Sequence, residues 1–275
     1  GHNGGKIKKI TAAIGAGPTC DALPVVSPPA ELDWDRWLGP VPAVDYRYVQ
    51  KPGKKGRPNT NCHYEFRWWY EFSGGKLTDW GAHHVDCAHW GMDTEYTGPI
   101  EISGRADFPK SGLWNVHGLF QTEGVYANGV KMIISNEIPN GIKFEGTEGW
   151  IFVTRGDYRA SASDPIPTGK NKVLPLTASN NKIISSVIGE NEINLYKSTD
   201  QHGNWLESIV SRKQPISPVE IGHRSCSTCL LHHVAMKLKR KIYWDPMNER
   251  FINDDEANAM LNRPHRFPYE VKGLD

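Results

Sequence analysis

No stretch of this 275-residue chain approaches the roughly 20 consecutive apolar residues that a membrane-spanning helix needs. Neither sign of charge is in excess, because the chain has 32 basic and 31 acidic residues and a formal net charge of +1. A chain without a dominant charge has no general attraction to nucleic acid or to an anionic membrane. A local basic run at residues 51–57 lacks interleaved aromatic residues, so we interpret it as a solvated loop. We therefore expect neither a membrane nor a nucleic acid as a partner.

Cysteine is scarce, and its five residues are an odd number scattered along the chain, which argues against a disulfide scaffold. Cys226 and Cys229, followed by His232 and His233, superficially suggest a zinc site. The surrounding pattern is that of a continuous helix, however, and no second Cys-x-x-Cys pair completes a tetrahedral ligand set. We expect buried structural thiols and no metal site.

An apolar segment after the N-terminus is also missing, so the first residues are not a signal peptide. They include no initiating Met, which suggests a fragment or a processed product. Residues 15–20, GAGPTC, imitate the start of a dinucleotide-binding GxGxxG motif. Cys20 replaces the third glycine, Pro18 intrudes, and the proline-rich sequence that follows cannot form the helix that would hold a pyrophosphate. We therefore expect no nucleotide cradle in this sequence.

Strand patterns dominate two parts of the chain. Residues 6–14 (KIKKITAAI) alternate between polar and apolar side chains, which predicts a strand. Between residues 99 and 154, five further strand-like segments are separated by turns, two of which contain Asn-Gly. Such short connections favour an antiparallel meander over parallel strands with helical crossovers.

Helical patterns are predicted at residues 78–91, 199–212, 219–239 and 254–261. Residues 15–65 are rich in proline and glycine, and we expect them to form an extended, wrapping segment with one short helical turn. We predict a single α+β domain over residues 1–275, built as an open, mainly antiparallel sheet with helices on one face. Helices within residues 193–275 are expected to close this domain.

Residues 66–86, FRWWYEFSGGKLTDWGAHHVD, combine aromatic residues, a Gly-Gly turn and the start of a helix. At about 100° per residue, Asp79, His83 and Asp86 fall on one stripe of that helix. A carboxylate beside an imidazole suits general acid–base chemistry on a hydroxyl or a carbonyl group. A helix whose polar face is merely solvated or internally hydrogen-bonded explains the same pattern equally well.

Several longer strings carry a resemblance to a known family: LDWDRWLGP, FRWWYEFSGGKLTDWGAHHVD, GIKFEGTEGWIFV, SRKQPISPVEIGHRS and WDPMNERFINDDEANAMLNRPHRFPY. Over about residues 6–269 the chain resembles the C-terminal half of the glucose-fructose oxidoreductase / inositol dehydrogenase (Gfo/Idh/MocA) family, in its large bacterial branch of dehydrogenases. The resemblance implies the open-sheet fold predicted above. It also implies that the cofactor, NAD or NADP, binds mainly to a Rossmann domain that is missing from this chain.

The family's Asp-x-x-x-His motif corresponds to Asp79 and His83. By this resemblance, His83 is the general base that takes a hydroxyl proton while hydride leaves for the nicotinamide, and Asp79 orients it. The implied function is the substrate-binding and catalytic half of an NAD(P)-dependent oxidoreductase that acts on a sugar, a polyol or a glycoside.

Further substrate-binding candidates are Arg67, Trp68, Trp69, Lys76, Asp86 and His202. Arg67 and the two tryptophans could contact the hydroxyls and the apolar face of a sugar, although a core tryptophan and an ion-paired arginine fit the sequence too. His84 lies about 100° from His83 around the helix, so we expect it to have a structural or interface role.

Two other classes of function remain open. A divalent metal held by Asp79, His83, Asp86 and His89 could assist a lyase, isomerase or hydrolase reaction on a keto-sugar, although His89 lies roughly 80° off the stripe. A non-catalytic carbohydrate-binding or oligomerisation module is the second alternative. We also expect a homo-oligomer formed through the open sheet face. The expected location is cytoplasmic, or periplasmic if a missing N-terminus carries an export signal.

Overall fold

A nine-stranded sheet organises the computed structural model of the protein, which describes residues 5–50, 59–136, 138–154 and 174–270. The basic run at residues 51–57 lies outside these ranges. In chain order the strands are β1 (Ile7–Ala13), β2 (Tyr48–Val49), β3 (Asn59–Thr60), β4 (Glu101–Ala106), β5 (Phe120–Val125), β6 (Lys131–Ser135), β7 (Gly141–Gly146), β8 (Trp150–Val153), β9 (Leu176–Ala178), β10 (Ile242–Asp245) and β11 (Arg250–Phe251). The α-helices are α1 (Trp34–Leu38), α2 (Trp80–Met92), α3 (Asn181–Ile184), α4 (Gln201–Ser211), α5 (Val219–Leu238) and α6 (Asp255–Ala259).

The large sheet has the strand order β11-β10-β4-β5-β6-β1-β7-β8-β9, and it is mainly antiparallel, as predicted. β4, β5 and β6 form one antiparallel run, and β7, β8 and β9 form another. β1 lies between the two runs, antiparallel to β7 but parallel to β6. The prediction of a simple meander is therefore wrong at the centre of the sheet. Ile10 and Ala12 of β1 are fully buried, which suits a central strand, but alternation along one segment does not reveal its neighbours.

α2 and α5 pack on the sheet and against each other, which confirms a helical layer on one face. Ile10, Val85, Met132 and Met236 are buried in the core between the layers. Gly91 lets α2 approach β7 closely, because a Cβ atom at this position would lie 2.3 Å from Cε1 of Phe144. None of the described helices is long and apolar enough to cross a membrane.

The last third of the chain contains a hairpin that the prediction of closing helices omitted. β10 and β11 pair with each other, and β10 also pairs with β4, so the hairpin extends the sheet. Trp244 and Phe251 are both buried, with ring centroids 4.9 Å apart. Strands of two to four residues are too short to produce a clear alternating pattern. The four helical predictions agree with α2, α4, α5 and α6 to within about two residues at each end.

The sheet face opposite α2 and α5 is charged. Side chains alternate along a strand, so residues next to the buried core positions point to this face. Lys9 and Lys143 both pair with Glu145, at 2.8 and 3.0 Å, and Lys131 pairs with Glu123 at 3.1 Å. The open face is thus covered by ion pairs within one chain and is not an apolar surface.

α4 forms where predicted, but its apolar residues are not packed into the core. Trp205, Leu206, Ile209 and Val210 are 59%, 55%, 42% and 85% exposed. Asn204 is the buried residue of this helix, and its amide nitrogen donates to the hydroxyl of Tyr196. The helical pattern was therefore informative about local structure and not about tertiary packing.

None of the five cysteines, all of which lie in the described ranges, forms a disulfide bond. Cys20, Cys62 and Cys229 are buried, whereas Cys87 and Cys226 are exposed. The expectation of buried structural thiols in the Cys226-x-x-Cys229 pair is therefore confirmed for Cys229 and wrong for Cys226. Adjacent helical positions point in different directions, so a thiol can be exposed beside a buried residue. Cys226 and Cys229 both lie on α5, which confirms the continuous helix.

Candidate active site

The candidate site begins with two short 3-10 helices, His63–Trp68 and Gly75–Leu77, that lead into α2. Gly75 has a φ of +67°, and a Cβ atom there would lie 2.8 Å from Cβ of Val116. A Cβ on Gly74 would lie 2.5 Å from Cγ2 of Thr78. Both glycines are therefore needed for the sharp turn that the sequence predicts.

Arg67 and Asp79 form an ion pair across this turn. Nη1 of Arg67 donates to Oδ1 of Asp79 at 2.8 Å, and Nε donates to the carbonyl of Tyr64 at 3.0 Å. The guanidinium also lies over the ring of Tyr64, 3.8 Å from its centroid, and 4.7 Å from that of Trp68. Two atoms of the pair remain buried without a hydrogen bond to any described residue: Nη2 of Arg67 and Oδ2 of Asp79. The pair thus combines an unsatisfied donor with an unsatisfied acceptor.

His83 lies in the first part of α2 and is exposed. Its imidazole contacts the edge of Trp80, with ring centroids 5.8 Å apart. Asp79 occupies the N-cap position, just before α2, and its carboxylate is hydrogen-bonded to Arg67 and not to a helix N–H group. No hydrogen bond joins Asp79 to His83 in the described part of the chain. The partner of the Asp79 carboxylate is therefore Arg67 and not His83.

His84, the next residue, has a different environment. It is buried, and its Nε2 is hydrogen-bonded to Oδ1 of Asn140 at 2.8 Å. The backbone carbonyl of Asn140 accepts a hydrogen bond from the hydroxyl of Thr154 at 2.6 Å. His84 thus fastens α2 to the turn between β6 and β7, which is the structural kind of role expected for it. No pattern in the sequence indicates Asn140 as its partner.

The aromatic and lysine candidates are largely buried. Trp68 is 1% exposed, Trp69 is 8% exposed, and Lys76 is 3% exposed. Nζ of Lys76 lies 5.8 Å from the ring centroid of Trp68. The structure therefore brings Arg67, Trp68, Lys76 and Asp79 together, and their contact with a substrate stays a prediction.

Asp86 and His202 lie in other surroundings. Asp86 is half-buried and accepts a hydrogen bond from the hydroxyl of Ser225 on α5 at 2.9 Å. His202 is exposed at the start of α4, where its backbone N–H donates to Asp200. No described hydrogen bond, ion pair or ring contact links His202 to Asp79 or His83.

The carboxylates and imidazoles that were considered as metal ligands contact different partners in the structure. Asp79 pairs with Arg67, and Asp86 accepts from Ser225. His89 is fully buried, and its Nε2 is hydrogen-bonded to the hydroxyl of Tyr126 at 2.7 Å. Within residues 5–50, 59–136, 138–154 and 174–270, no group of three or more His, Cys, Asp or Glu side chains is placed to hold a metal ion.

A second group of histidines, which the sequence analysis missed, surrounds Tyr70. The hydroxyl of Tyr70 is hydrogen-bonded to Nδ1 of His117 at 2.8 Å, and its ring centroid lies 3.9 Å from that of His233. Burial lowers the pKa of His117 to about 4, with a smaller contribution from nearby Lys237. Burial and the neighbouring His117 lower the pKa of His233 to about 3. These imidazoles are neutral packing groups at physiological pH.

The rejected nucleotide motif has a structural role. A Cβ atom on Gly17 would lie 2.1 Å from the carbonyl oxygen of His117, and the N–H of Gly17 donates to the carbonyl of Gly118 at 3.2 Å. Gly17 thus allows two backbone segments to come into contact. The first helix of the described chain begins only at Trp34, so no helix N-terminus follows the glycines.

A family model described as "Oxidoreductase family, C-terminal alpha/beta domain" (GFO_IDH_MocA_C2) matches residues 18–187 and 181–271. The chain belongs to this Gfo/Idh/MocA family. The resemblance carried by the sequence strings is thereby confirmed, and the chain is a domain of an oxidoreductase family.

Solved structures that match this chain include an NAD-binding protein from Listeria innocua, with 16% identity and a TM-score of 0.46 over 86% of this chain and 55% of that one. The WlbA dehydrogenase from Bordetella pertussis, in complex with NADH and UDP-GlcNAcA, has 11% identity and a TM-score of 0.46 over 88% of this chain and 56% of that one. An aldose-aldose oxidoreductase from Caulobacter crescentus, complexed with glycerol, has 11% identity and a TM-score of 0.45 over 87% of this chain and 56% of that one. This Gfo/Idh/MocA domain therefore spans just over half the length of these structures. No curated protein matches the chain.

Proposed function

We propose that this domain is the substrate-binding and catalytic half of an NAD(P)-dependent oxidoreductase acting on a sugar, a polyol or a glycoside. The observation that carries the proposal is the ion pair between Arg67 and Asp79, which has one buried donor and one buried acceptor unsatisfied beside the start of α2. His83 is exposed on that same helix.

A hydroxyl group matches the unsatisfied atoms of this pair. It can donate its proton to Oδ2 of Asp79 and accept a hydrogen bond from Nη2 of Arg67. An unpaired buried polar group costs about 1–3 kcal/mol, so a bound hydroxyl recovers part of this cost. A substrate carboxylate only accepts hydrogen bonds and would be repelled by Asp79. The pair therefore favours an alcohol over an acid.

The chain's own chemical contribution is proton transfer. A neutral imidazole suits the removal of a hydroxyl proton near pH 7, and His83 is an exposed imidazole one helical turn after Asp79, on the helix that Asp79 precedes. Asp79, fixed by Arg67, would hold one hydroxyl of the substrate in place while His83 accepts the proton of the neighbouring, reacting hydroxyl. Positioning of this kind makes the reaction effectively unimolecular.

The nicotinamide cofactor would supply the hydride chemistry. The glycine segment at residues 15–20 does not fit a nucleotide, because Gly17 packs on the backbone of His117 and the next helix begins only at Trp34. NAD or NADP would instead be held mainly by a Rossmann domain outside this sequence.

The open sheet face is the proposed contact of a homo-oligomer. Its ion pairs, such as that between Lys131 and Glu123, make the surface polar, so a partner would meet it through charge complementarity. The proposed location is the cytoplasm, or the periplasm if an export signal precedes the sequence.

The proposal is tested with the protein in its full natural length. Reduction of NAD⁺ and NADP⁺ is followed by nicotinamide absorbance against a panel of neutral sugars, polyols, glycosides and uronic acids. We expect turnover of one or more neutral members and weaker turnover of the corresponding uronic acids.

Three other results would count against the proposal. Turnover that requires a chelatable divalent metal and no nicotinamide would favour the metal-assisted alternative. Binding of a sugar without turnover by either nucleotide would favour the non-catalytic module. Preference for uronic acids would contradict the role given to Arg67 and Asp79.

A further inference from the structure

A cavity of about 510 Å³ lies beside α1 and the segment that follows it. Its lining includes Trp34, Asp35, Ala43, Asp45, Arg47 and Trp69, and we call it the Trp34–Trp69 cavity. Neither Asp79 nor His83 lines it. Its volume lies within the roughly 300–1,000 Å³ that is usual for small-molecule sites.

The walls of the Trp34–Trp69 cavity are fixed before any ligand binds. The indole Nε1 of Trp34 donates to the carbonyl of Val44 at 2.8 Å, and its ring stacks on Trp37 with centroids 4.9 Å apart. Asp35 accepts hydrogen bonds from Arg266 and from the hydroxyl of Tyr269, near the C-terminus. A pre-organised site loses little conformational entropy on binding.

Polar groups in the lining retain hydrogen-bonding capacity. Arg47 uses Nη1 to reach the carbonyl of Leu23, and its other guanidinium N–H groups donate to no described residue. The carboxylate of Asp45 has no described hydrogen-bond partner and is exposed. The indole Nε1 of Trp69 is buried and likewise makes no hydrogen bond within the described residues.

We infer that the Trp34–Trp69 cavity binds a neutral carbohydrate ring, at a site separate from Asp79 and His83. The C–H faces of a sugar ring suit the two indole rings, and its hydroxyls both donate and accept. Asp45 accepts from such hydroxyls while Arg47 donates to them. A strongly anionic ligand would be repelled by the exposed carboxylate of Asp45, and a cationic one by Arg47. The inference does not depend on the proposed redox function.

A pair of neighbouring substitutions tests this site. Ala43 is exposed and lines the cavity, whereas Pro42 is exposed and does not. Ala43→Arg fills the cavity with a long cationic side chain, and Pro42→Arg adds the same side chain outside it. Binding of maltose and cellobiose is measured by saturation-transfer NMR and calorimetry, and circular dichroism checks that both variants fold.

We expect millimolar or tighter binding of a neutral disaccharide that Ala43→Arg weakens by about tenfold or more, equivalent to about 1.4 kcal/mol. Pro42→Arg should leave the affinity within about twofold. No binding of either sugar, equal losses in the two variants, or full affinity in Ala43→Arg would overturn the inference. Binding that is lost in Asp79→Asn and retained in Ala43→Arg would also overturn it, because the sugar would then occupy the proposed active site.

Discussion

Arg67 and Asp79 meet at 2.8 Å across the Gly74-Gly75 turn, with side chains only 14% and 19% exposed. This contact joins the 3-10 helix His63–Trp68 to the start of α2. It fixes the carboxylate that precedes His83 on the chain. The packing of the candidate site therefore depends on a charge pair that is largely shielded from water.

The energetic coupling of this pair can be measured by a double-mutant cycle. Truncating one partner leaves the other charge poorly solvated, so we expect Arg67→Ala and Asp79→Ala each to lower the free energy of unfolding by about 1–3 kcal/mol. The double variant should lose about 1 kcal/mol less than the sum of the single losses. Chemical denaturation gives the three values.

The exposed pair of Lys131 and Glu123, with side chains 54% and 37% exposed, is the control. Its coupling should stay below about 0.5 kcal/mol. Strictly additive losses at Arg67 and Asp79 would contradict the role assigned to their ion pair.

Four buried histidines predict a loss of stability in mild acid. Burial lowers the pKa of His89 and His117 to about 4 and that of His232 and His233 to about 3, from an ordinary value of 6.5. On acidification, these histidines take up protons in the unfolded chain at a higher pH than in the folded one. The free energy of unfolding is therefore unaffected by them above about pH 6.5 and falls as the pH drops through their folded-state pKa values of about 4 and about 3.

We expect His89→Gln to reduce the pH dependence of the unfolding free energy in this range. One fewer proton taken up on unfolding changes the slope by about 1.4 kcal/mol per pH unit at most. Denaturation series at several pH values measure the slope. A slope in His89→Gln identical to that of the unmodified protein would refute the prediction.

Replacing glycine by alanine should have opposite effects on stability at two helical positions. Gly91→Ala places a methyl group 2.3 Å from Cε1 of Phe144, so we expect a loss of about 1–3 kcal/mol in stability. Gly222→Ala, on α5, meets nothing within 4 Å and should gain about 0.5–1 kcal/mol from helix propensity. Thermal or chemical denaturation compares the two. A gain in stability in Gly91→Ala would show that α2 does not pack on β7 as described.

The cysteines should separate into two reactivity classes. Cys87 and Cys226 are exposed, whereas Cys20, Cys62 and Cys229 are buried, and burial raises the pKa of Cys62 to about 11. A thiol reagent should modify two residues in the native protein and all five after unfolding. Peptide mass mapping identifies them. Rapid native modification of Cys229, which lies against the core, would contradict the packing of α5.

Local patterns in the sequence predicted most of the elements, while the pairings between distant segments came only from the structure. The alternation in residues 6–14 predicted a strand, but its insertion between β6 and β7 depends on contacts with residues more than a hundred positions away. The short strands of the hairpin β10–β11 produce no usable period. Tertiary packing, not propensity, decides both features.

In the candidate site too, local sequence patterns predicted the helix, while the contacts between different elements came only from the structure. Helical spacing placed Asp79, His83 and Asp86 on one stripe. In the structure, however, the carboxylate of Asp79 accepts a hydrogen bond from Arg67, and that of Asp86 accepts one from Ser225. Arg67 was considered both as a sugar ligand and as an ion-pair partner, and its geometry supplies the ion pair. A partner on another element cannot be identified from the period of one helix.

The most direct measurement of the proposed function is the effect of His83→Ala on kcat/KM, in the full-length protein with its NAD(P) cofactor and the best neutral sugar or polyol. Loss of a general base should lower kcat/KM by about 10²–10⁴-fold, with the decrease mainly in kcat. His223→Ala, which removes another exposed histidine far along the chain, should stay within about threefold of the unmodified protein. A His83→Ala variant as active as this control would contradict the assignment of His83 as the base.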